Sequence, residues 1–189
     1  MRLFDAFFGR TRLVQSNLDQ LFGLSASAIS LEAQLNLKST GAAALSFRPV
    51  SSGDFKQLES DLQGLLNVSK DDTQITWRTF TDPYGYQWML LQTPDLESLA
   101  ASVYTLSREL EDAGYGEQLL AAVFQFRDDH GATVYWIYNF KRGTWYPFVP
   151  SGAKQRDNAL ELRLSAVMKS ELKIENDMTR WFPLWGIPL

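Results

Sequence analysis

The chain has 189 residues, 45% hydrophobic and 13% aromatic, so it is long and apolar enough to fold around a core of its own. Its net charge of −4 argues against nucleic-acid binding, because an acidic chain lacks the field that gathers polyanions. It contains no cysteine, which excludes disulfides and thiol chemistry, and no apolar run reaches the roughly 20 residues of a membrane-spanning helix.

The first predicted element is a short amphipathic segment in residues 1–12, MRLFDAFFGRTR. At helical spacing its apolar residues share one face, flanked by three arginines: Leu3, Phe4, Phe7 and Phe8, with Arg2, Arg10 and Arg12. Such a segment can lie in a membrane interface with its cations near anionic headgroups. It can also dock into the protein's own groove or onto a partner helix. Phe4, Phe7 and Phe8 are therefore candidate contacts with a membrane or a partner.

Residues 29–49 are predicted to form a β-hairpin. Apolar and polar residues alternate from Ile29 to Lys38, which is typical of a half-buried strand. A turn is expected at Ser39-Thr40-Gly41, after which the alternation resumes. From Ser52 the apolar spacing becomes helical, with Ser52 and Asp54 as capping candidates. This region therefore predicts two strands followed by a helix.

A second hairpin is predicted around the turn sequence Asp82-Pro83-Tyr84-Gly85, with one arm near residues 75–77 and the other near residues 88–90. Thr93 and Pro94 are expected to open a helix, with Thr93 as its cap. The apolar stripe of that helix is expected to pack on a sheet: Leu96, Leu99, Val103, Leu106 and Leu110.

Residues 119–126, LLAAVFQF, predict a central strand that is buried on both faces. Turns at residues 128–131 and 142–143 join it to two further strands in a meander, and a final helix follows. The predicted order, α-ββ-α-ββ-α-βββ-α, is an α+β fold of antiparallel hairpins with flanking helices. No flexible linker divides the chain, so residues 1–189 are expected to form a single domain with an apolar C-terminal tail, residues 178–189.

The sequence shows no recognisable catalytic machinery. It has no phosphate-binding glycine loop, nucleophile elbow or HExxH motif. The single histidine, His130, lies in a DDHG turn, where solvation explains it better than catalysis or metal binding. A solvated helix end explains the carboxylates near residues 109–117. We expect no catalytic residue, metal site or cofactor, and small-molecule enzyme chemistry around Lys141 and Arg156 stays an alternative.

Residues 139–150, NFKRGTWYPFVP, place two cations beside four aromatic side chains. Strand alternation puts Trp145 and Tyr146 on opposite faces, and Pro147 indicates an edge strand or a strand end. Lys141 and Arg142 beside Gly143 fit a solvated turn. The alternative is a basic-aromatic pocket in which a cation stacks on Trp145 or Tyr146.

For two later stretches as well, the residues can either pack within this chain or bind a partner. In RDNALELRL, Asp157 or Asn158 is expected to cap the last helix, and Arg156 to reach a carboxylate of this chain or of a partner. In RWFPLWGIPL, prolines and a glycine around Trp181 and Trp185 prevent a regular helix or strand. Because this tail is so apolar, it is expected to wrap back over the fold or to insert into a partner.

Several stretches together resemble one family: MRLFDAFFGRTR, DPYGYQWMLL, LEDAGYGEQLLAAVFQF, YNFKRGTWYPFVP with RDNALELRL, and RWFPLWGIP. They cover nearly the whole chain and are similar to the phage-shock-protein-A-associated protein B family (PspAB). The KRGTWYPF and RDNALELRL pair is the most specific part. The resemblance implies a non-enzymatic adaptor of a PspA-type envelope-stress response, in which a coiled-coil PspA protein assembles on the inner membrane surface.

The resemblance implies a PspA-type coiled-coil protein or peptide segment as the partner, and a cytoplasmic location that allows contact with the inner face of the membrane. It implies no catalytic residue, cofactor or nucleic acid. The motif positions carry over as a candidate partner-binding surface: Lys141, Arg142, Gly143, Trp145, Tyr146, Arg156, Asp157 and Asn158. The order of elements is also similar to secretion-chaperone-like folds, whose sheets and helices bind segments of other proteins. That second likeness concerns the fold alone.

Overall fold

A computed structural model describes residues 17–189, with side chains for all of them except residues 68–73. The predicted amphipathic segment, including Phe4, Phe7 and Phe8, therefore lies outside the described residues. The helices are α1 (Gln20–Ala26), α2 (Ala28–Leu35), α3 (Gly53–Thr73), α4 (Leu96–Asp112) and α5 (Asn158–Met168). The strands are β1 (Lys38–Phe47), β2 (Thr76–Thr81), β3 (Gln87–Gln92), β4 (Leu119–Arg127), β5 (Thr133–Asn139), β6 (Thr144–Phe148), β7 (Pro150–Gly152) and β8 (Gln155–Arg156).

Six strands form one antiparallel sheet in the order β2-β3-β1-β4-β5-β6, and β7 pairs with β8 in a separate ribbon. The predicted α+β fold class is confirmed, as are the second hairpin and the three-stranded meander. β2 and β6 are the two edge strands of the sheet. Pro147 lies in β6, as the sequence predicted for a residue that cannot donate to a ladder.

The helices cover one face of this sheet. α4 packs on β1 and β4 through its predicted apolar stripe, in which Leu99, Val103, Leu106 and Leu110 are buried. α1 packs on α4, and α5 packs on β6 and α2. The alternate residues Trp136 and Tyr138 of β5, together with Trp145 of β6, are completely buried on this helical side.

The opposite face of the sheet is also apolar. Its side chains form a second cluster: Ala44, Trp88, Leu90, Ala121, Val123, Tyr135, Ile137, Tyr146 and Phe148. The residues that pack on this cluster all come from the end of the chain: Ile174, Trp181, Leu184, Ile187 and Leu189. We call residues 173–189 the strap, because they cover this second face without forming an α-helix or a strand of the sheet.

The first predicted hairpin is wrong, because residues 28–35 are helical. Leu31 and Leu35 are buried one turn apart in α2, whereas Ile29 is 81% exposed. Most residues of this stretch are strong helix formers, which outweighs the polar-apolar alternation. The helix ends at Asn36, whose φ of 53° is the left-handed conformation of many helix termini.

The predicted turn at Gly41 is a strand irregularity within β1. The pairing of β1 with β4 shifts register between Ser39 and Ala43, and Gly41 has a φ of 75°. A Cβ atom at Gly41 would collide with the carbonyl oxygen of Thr93. Gly41 therefore lies in a bulge within one long strand. From the sequence alone, a turn between two strands was predicted at this position.

The helix caps agree with the prediction at one helix and differ at another. Ser52 caps α3, since its Oγ accepts a hydrogen bond from the Phe55 amide at 3.2 Å. Thr93 was predicted to cap α4, but Asp95 does so, accepting from the Ser98 amide at 2.7 Å. The Asp95 carboxylate has the advantage of a negative charge at the positive end of the helix.

Candidate partner-binding surface along the edge strand

Lys141 and Arg142 are exposed in the tight turn between β5 and β6. The amides of Arg142 and Gly143 donate to the Asn139 carbonyl at 3.1 and 2.8 Å, and the Lys141 amide donates to Asn139 Oδ1 at 3.1 Å. Gly143 adopts a φ of 62°, which this turn requires and which glycine adopts without strain. The two cations therefore project into solvent at one end of β6.

Arg156, Asp157 and Asn158 lie at the other end of β6, because the Asp157 amide donates to the Val149 carbonyl at 2.9 Å. Asp157 caps α5 as predicted, accepting from the Leu160 amide at 2.9 Å. Asn158 is the first residue of α5 and is exposed. The motif residues that were expected to form one surface are thus distributed to the two ends of β6.

Trp145 and Tyr146 are buried on opposite faces of the sheet, as strand alternation predicted. The Trp145 indole donates to the Gln20 carbonyl at 3.1 Å, and the Tyr146 hydroxyl donates to the Phe182 carbonyl at 3.0 Å. Both aromatic side chains therefore contact this chain's own residues. Their predicted part in binding a partner stays a prediction.

The strap joins the two ends of β6. The Trp145 amide donates to the Lys173 carbonyl, and the Glu175 amide donates to the Trp145 carbonyl, each at 2.8 Å. Residues 173–175 thereby run parallel to β6 and cover the start of an edge strand, at Trp145, that would otherwise offer free backbone groups. Trp181 then turns inward, stacked on the Tyr146 ring at 6.5 Å, with its indole donating to the Glu175 carbonyl at 2.9 Å.

An ion pair between Arg156 and Glu161 fastens the strap to α5. Arg156 Nε donates to the two carboxylate oxygens of Glu161 at 2.9 and 2.8 Å, and Nη2 lies 2.8 Å from Oε2 without hydrogen-bond alignment. Arg156 Nη1 donates to the Trp181 carbonyl at 2.7 Å, and the Val149 amide donates to Glu161 Oε1 at 2.8 Å. The carboxylate that Arg156 reaches is therefore in this chain.

Among the side chains that the structure describes, the only cation stacked on an aromatic ring is also Arg156, whose guanidinium carbon lies 5.2 Å from the centre of the Phe148 ring. None of these described cations stacks on Trp145 or Tyr146, which was the predicted alternative. Glu161 was not among the residues predicted for this site. It occupies a core position of α5 in register with Leu164 and Met168, and a carboxylate within such an apolar stripe signals a buried ion pair.

The outer side of the strap carries three exposed large apolar side chains. Met178 is 46% exposed, Phe182 53% and Trp185 36%. Trp185 contacts the edge of Phe148 at 5.1 Å between ring centres, and Arg78 Nη2 of β2 donates to the Pro188 carbonyl at 3.1 Å. The predicted tail therefore wraps back over the sheet from one edge strand to the other, and it presents some of its apolar surface to solvent.

Two buried tyrosine hydroxyls make the stability of the fold sensitive to alkaline pH. Burial raises the pKa of Tyr146 above its ordinary value of 10.0, with the Arg156 charge opposing and the Glu161 charge assisting. Burial and the Glu111 charge raise the pKa of Tyr138, whose hydroxyl donates to the Asn17 carbonyl at 2.8 Å. Both groups therefore stay protonated in the folded protein at pH values where the unfolded chain loses its protons.

We expect stability to be independent of these tyrosines below about pH 10 and to fall above it, by up to about 1.4 kcal/mol per pH unit for each tyrosine. Urea unfolding at about pH 9 and about pH 11 measures the slope. Tyr146→Phe is expected to remove about half of the slope. Tyr84→Phe is the control, because Tyr84 is 84% exposed. An equal slope in all three proteins would show that the buried hydroxyls do not cause it.

No helix within residues 17–189 is long and apolar enough to cross a membrane. Among the described side chains, those of residues 17–67 and 74–189, no group of three or more histidine, aspartate or glutamate residues is placed to hold a metal ion. His130 is exposed in the turn between β4 and β5.

Comparison with known proteins places the chain in a family. A family model described as PspA associated protein B matches residues 1–189. Searches of curated proteins and of solved structures give no match. Because the family model covers the whole chain, the protein belongs to the PspA associated protein B family.

Proposed function

We propose that the protein is a non-enzymatic adaptor of a PspA-type envelope-stress response and that it binds a PspA-type protein or a peptide segment of one. The observation that carries the proposal is the match of the family model to the entire chain, since the family's description names an association with PspA. An accessory role beside PspA follows from that membership. We place the protein in the cytoplasm, near the inner face of the membrane.

The structure supports a binding surface made of the β5–β6 turn and the outer side of the strap. We call it the turn-strap surface: Lys141, Arg142, Met178 and Phe182. Exposed Met, Phe and Arg side chains are types enriched at protein interfaces. A helix with an apolar stripe and acidic flanks would complement this surface.

The two parts of the turn-strap surface lie close enough to interact electrostatically. Hydrogen bonds from Thr179 lower the pKa of Asp177 most, and the charges of Arg180 and Arg142 lower it further. Arg142 belongs to the β5–β6 turn and Asp177 to the strap. The Arg142 charge therefore acts on the strap at Asp177, the residue before Met178, and we propose that one partner contacts both parts of the surface.

Binding to a purified PspA-type protein of the same organism, measured by interferometry at several salt concentrations, tests the proposal. The variant Lys141→Ala/Arg142→Ala is expected to bind about ten-fold more slowly and with a weaker salt dependence, because cations at an interface rim steer association. The matched control is Lys56→Ala/Arg163→Ala, which removes two exposed cations from α3 and α5. No binding by the unaltered protein, or equal slowing in the control, would contradict the proposal.

The position of Asn17 favours a second candidate function, which is binding to an anionic membrane. The Asn17 carbonyl accepts from Tyr138, and a Cβ atom at Gly143 would lie 3.9 Å from the Asn17 amide and 4.0 Å from Lys173 Nζ. Asn17, the first described residue, therefore lies beside the turn that carries Lys141 and Arg142. Residues 1–12, which precede it in the sequence, contain three arginines: Arg2, Arg10 and Arg12.

Flotation with vesicles that contain anionic lipids tests this candidate, with uncharged vesicles for comparison. Replacing Phe4, Phe7 and Phe8 together with serine is expected to abolish flotation, because the apolar face of an interfacial segment supplies its membrane affinity. Phe22→Ser is the matched control, since Phe22 is an aromatic residue of α1 that is 36% exposed. Unchanged flotation of the triple variant would exclude membrane binding through this segment.

A further inference from the structure

The sheet face beneath the strap has the shape of a trough. Its floor is formed by buried side chains on the two central strands β1 and β4, which are small except for Val123: Ala42, Ala44, Ser46, Ala121 and Val123. Its walls are large side chains on the neighbouring strands, Trp88 and Leu90 on β3 and Tyr135 and Ile137 on β5. Alanine, serine and valine reach a shorter distance from the backbone than these neighbours, so the face is concave along β1 and β4.

The strap does not fill this trough. A cavity of about 270 Å³ remains at one end, and its lining includes Thr40, Ala42, Leu90, Gln92, Gln125 and Leu189. Arg78 also lines it, and Arg127 follows Gln125 on the same face of β4. An apolar floor, a polar rim and Arg78 therefore lie together where the strap ends, and Arg127 lies on the same face of the sheet beyond Gln125.

The two halves of the strap are held with different strength. In residues 173–182, the backbone pairs with β6 at Trp145, Trp181 is buried, and the Trp181 and Phe182 carbonyls accept hydrogen bonds from Arg156 and Tyr146. Residues 183–189 are held by the Arg78 hydrogen bond, by the contact of the exposed Trp185 ring with Phe148, and by three side chains that are only half-buried: Leu184, Ile187 and Leu189. Segments with few buried contacts open at low free energy, so the distal half can leave the sheet while the proximal half stays.

We propose that the trough is the docking site for an amphipathic helix of the partner and that this helix displaces residues 183–189. The proposal rests on the proposed function and adds to the turn-strap surface a site that a helix of the same partner would occupy. A helix suits the trough because the other face of the same sheet also packs on helices, and because the trough has more room than the strap uses. Acidic residues at one end of the helix would complement Arg78 and Arg127.

A single-cysteine variant reports displacement directly, because the chain contains no cysteine of its own. In Ile187→Cys, alkylation by iodoacetamide is expected to become about ten-fold faster when purified PspA-type protein is added, since displacement exposes a half-buried position. Ser151→Cys, at an exposed position of β7, is the control whose rate should not change. A slower or unchanged alkylation rate of the Ile187→Cys variant, in a mixture where the two proteins bind, would overturn the proposal.

Two affinity measurements test the trough proposal independently of the proposed function. Deleting residues 183–189 is expected to tighten binding several-fold, because the partner no longer competes with the strap. Ala42→Leu fills the cavity and is expected to weaken binding about ten-fold. If the unaltered protein does not bind PspA, the proposed function fails. If the unaltered protein binds PspA and the deletion leaves the affinity unchanged or weakens it, the trough proposal alone is refuted. The deletion gives this test even if the Ala42→Leu variant does not fold.

Discussion

Replacing Arg156 with alanine is expected to lower the free energy of unfolding by about 3–5 kcal/mol, the usual effect of removing one member of a buried ion pair. The Glu161 side chain is 1% exposed and that of Arg156 is 18% exposed, so water cannot replace the lost guanidinium. The Val149 amide would remain as a partner of the Glu161 carboxylate, which is too little for a buried charge. The strap would also lose the hydrogen bond to the Trp181 carbonyl.

Urea unfolding of Arg156→Ala and of the double variant Arg156→Met/Glu161→Gln distinguishes the effect of an unpaired Glu161 charge from the effect of lost side-chain packing. The glutamine side chain keeps an oxygen for the Val149 amide, and the methionine side chain keeps an apolar chain over Phe148. The double variant is therefore expected to recover most of the stability. If the double variant is as unstable as Arg156→Ala, the uncompensated Glu161 charge is not the cause of the loss.

Replacing Trp181 with alanine is the second change with a large expected effect, about 3–5 kcal/mol. The side chain is 5% exposed, stacks on Tyr146 and anchors the strap to the second face of the sheet. Its removal leaves a cavity over Tyr146 and releases the indole hydrogen bond to Glu175. The strap should then open more often, which amide hydrogen exchange of residues 176–189 would detect as faster exchange.

Two other tryptophan changes make this prediction specific. Trp181→Phe retains a ring and loses one hydrogen bond, with an expected loss of about 1 kcal/mol. Trp185→Ala removes a side chain that is 36% exposed, and its edge contact with Phe148 is worth about 1 kcal/mol. Equal effects of Trp181→Ala and Trp185→Ala would mean that the strap is not anchored at Trp181.

Alternation along the sequence predicted the strands correctly where successive side chains pack on opposite faces of the sheet. In β5, Trp136 and Tyr138 face the helices while Tyr135 and Ile137 face the strap, and alternation separated these two sets correctly. Alternation failed in α2, because Leu31 and Leu35 satisfy a helical period as well as a strand period. Helix propensity, which distinguishes the two cases, was the signal that the prediction neglected.

The candidate site was only partly predictable, because its residues meet through the strap. Sequence motifs identified Arg156 and the Lys141–Arg142 turn, but not that they lie at opposite ends of β6. That separation follows from β6, which lies between the turn and Val149, and from the hydrogen bond of the Asp157 amide to the Val149 carbonyl, which has no local sequence signal. The prediction of a single domain for residues 1–189 stays a prediction.

The central claim is that the strap side of the sheet is where this protein meets a PspA-type partner. Amide hydrogen exchange of the intact chain, with and without the purified PspA-type protein, tests it most directly. We predict slower exchange at residues 139–146 and in β1, β3 and β4, together with faster exchange at residues 183–189. Protection confined to the exposed faces of α2 and α5, or no change in the presence of the partner, would contradict the claim.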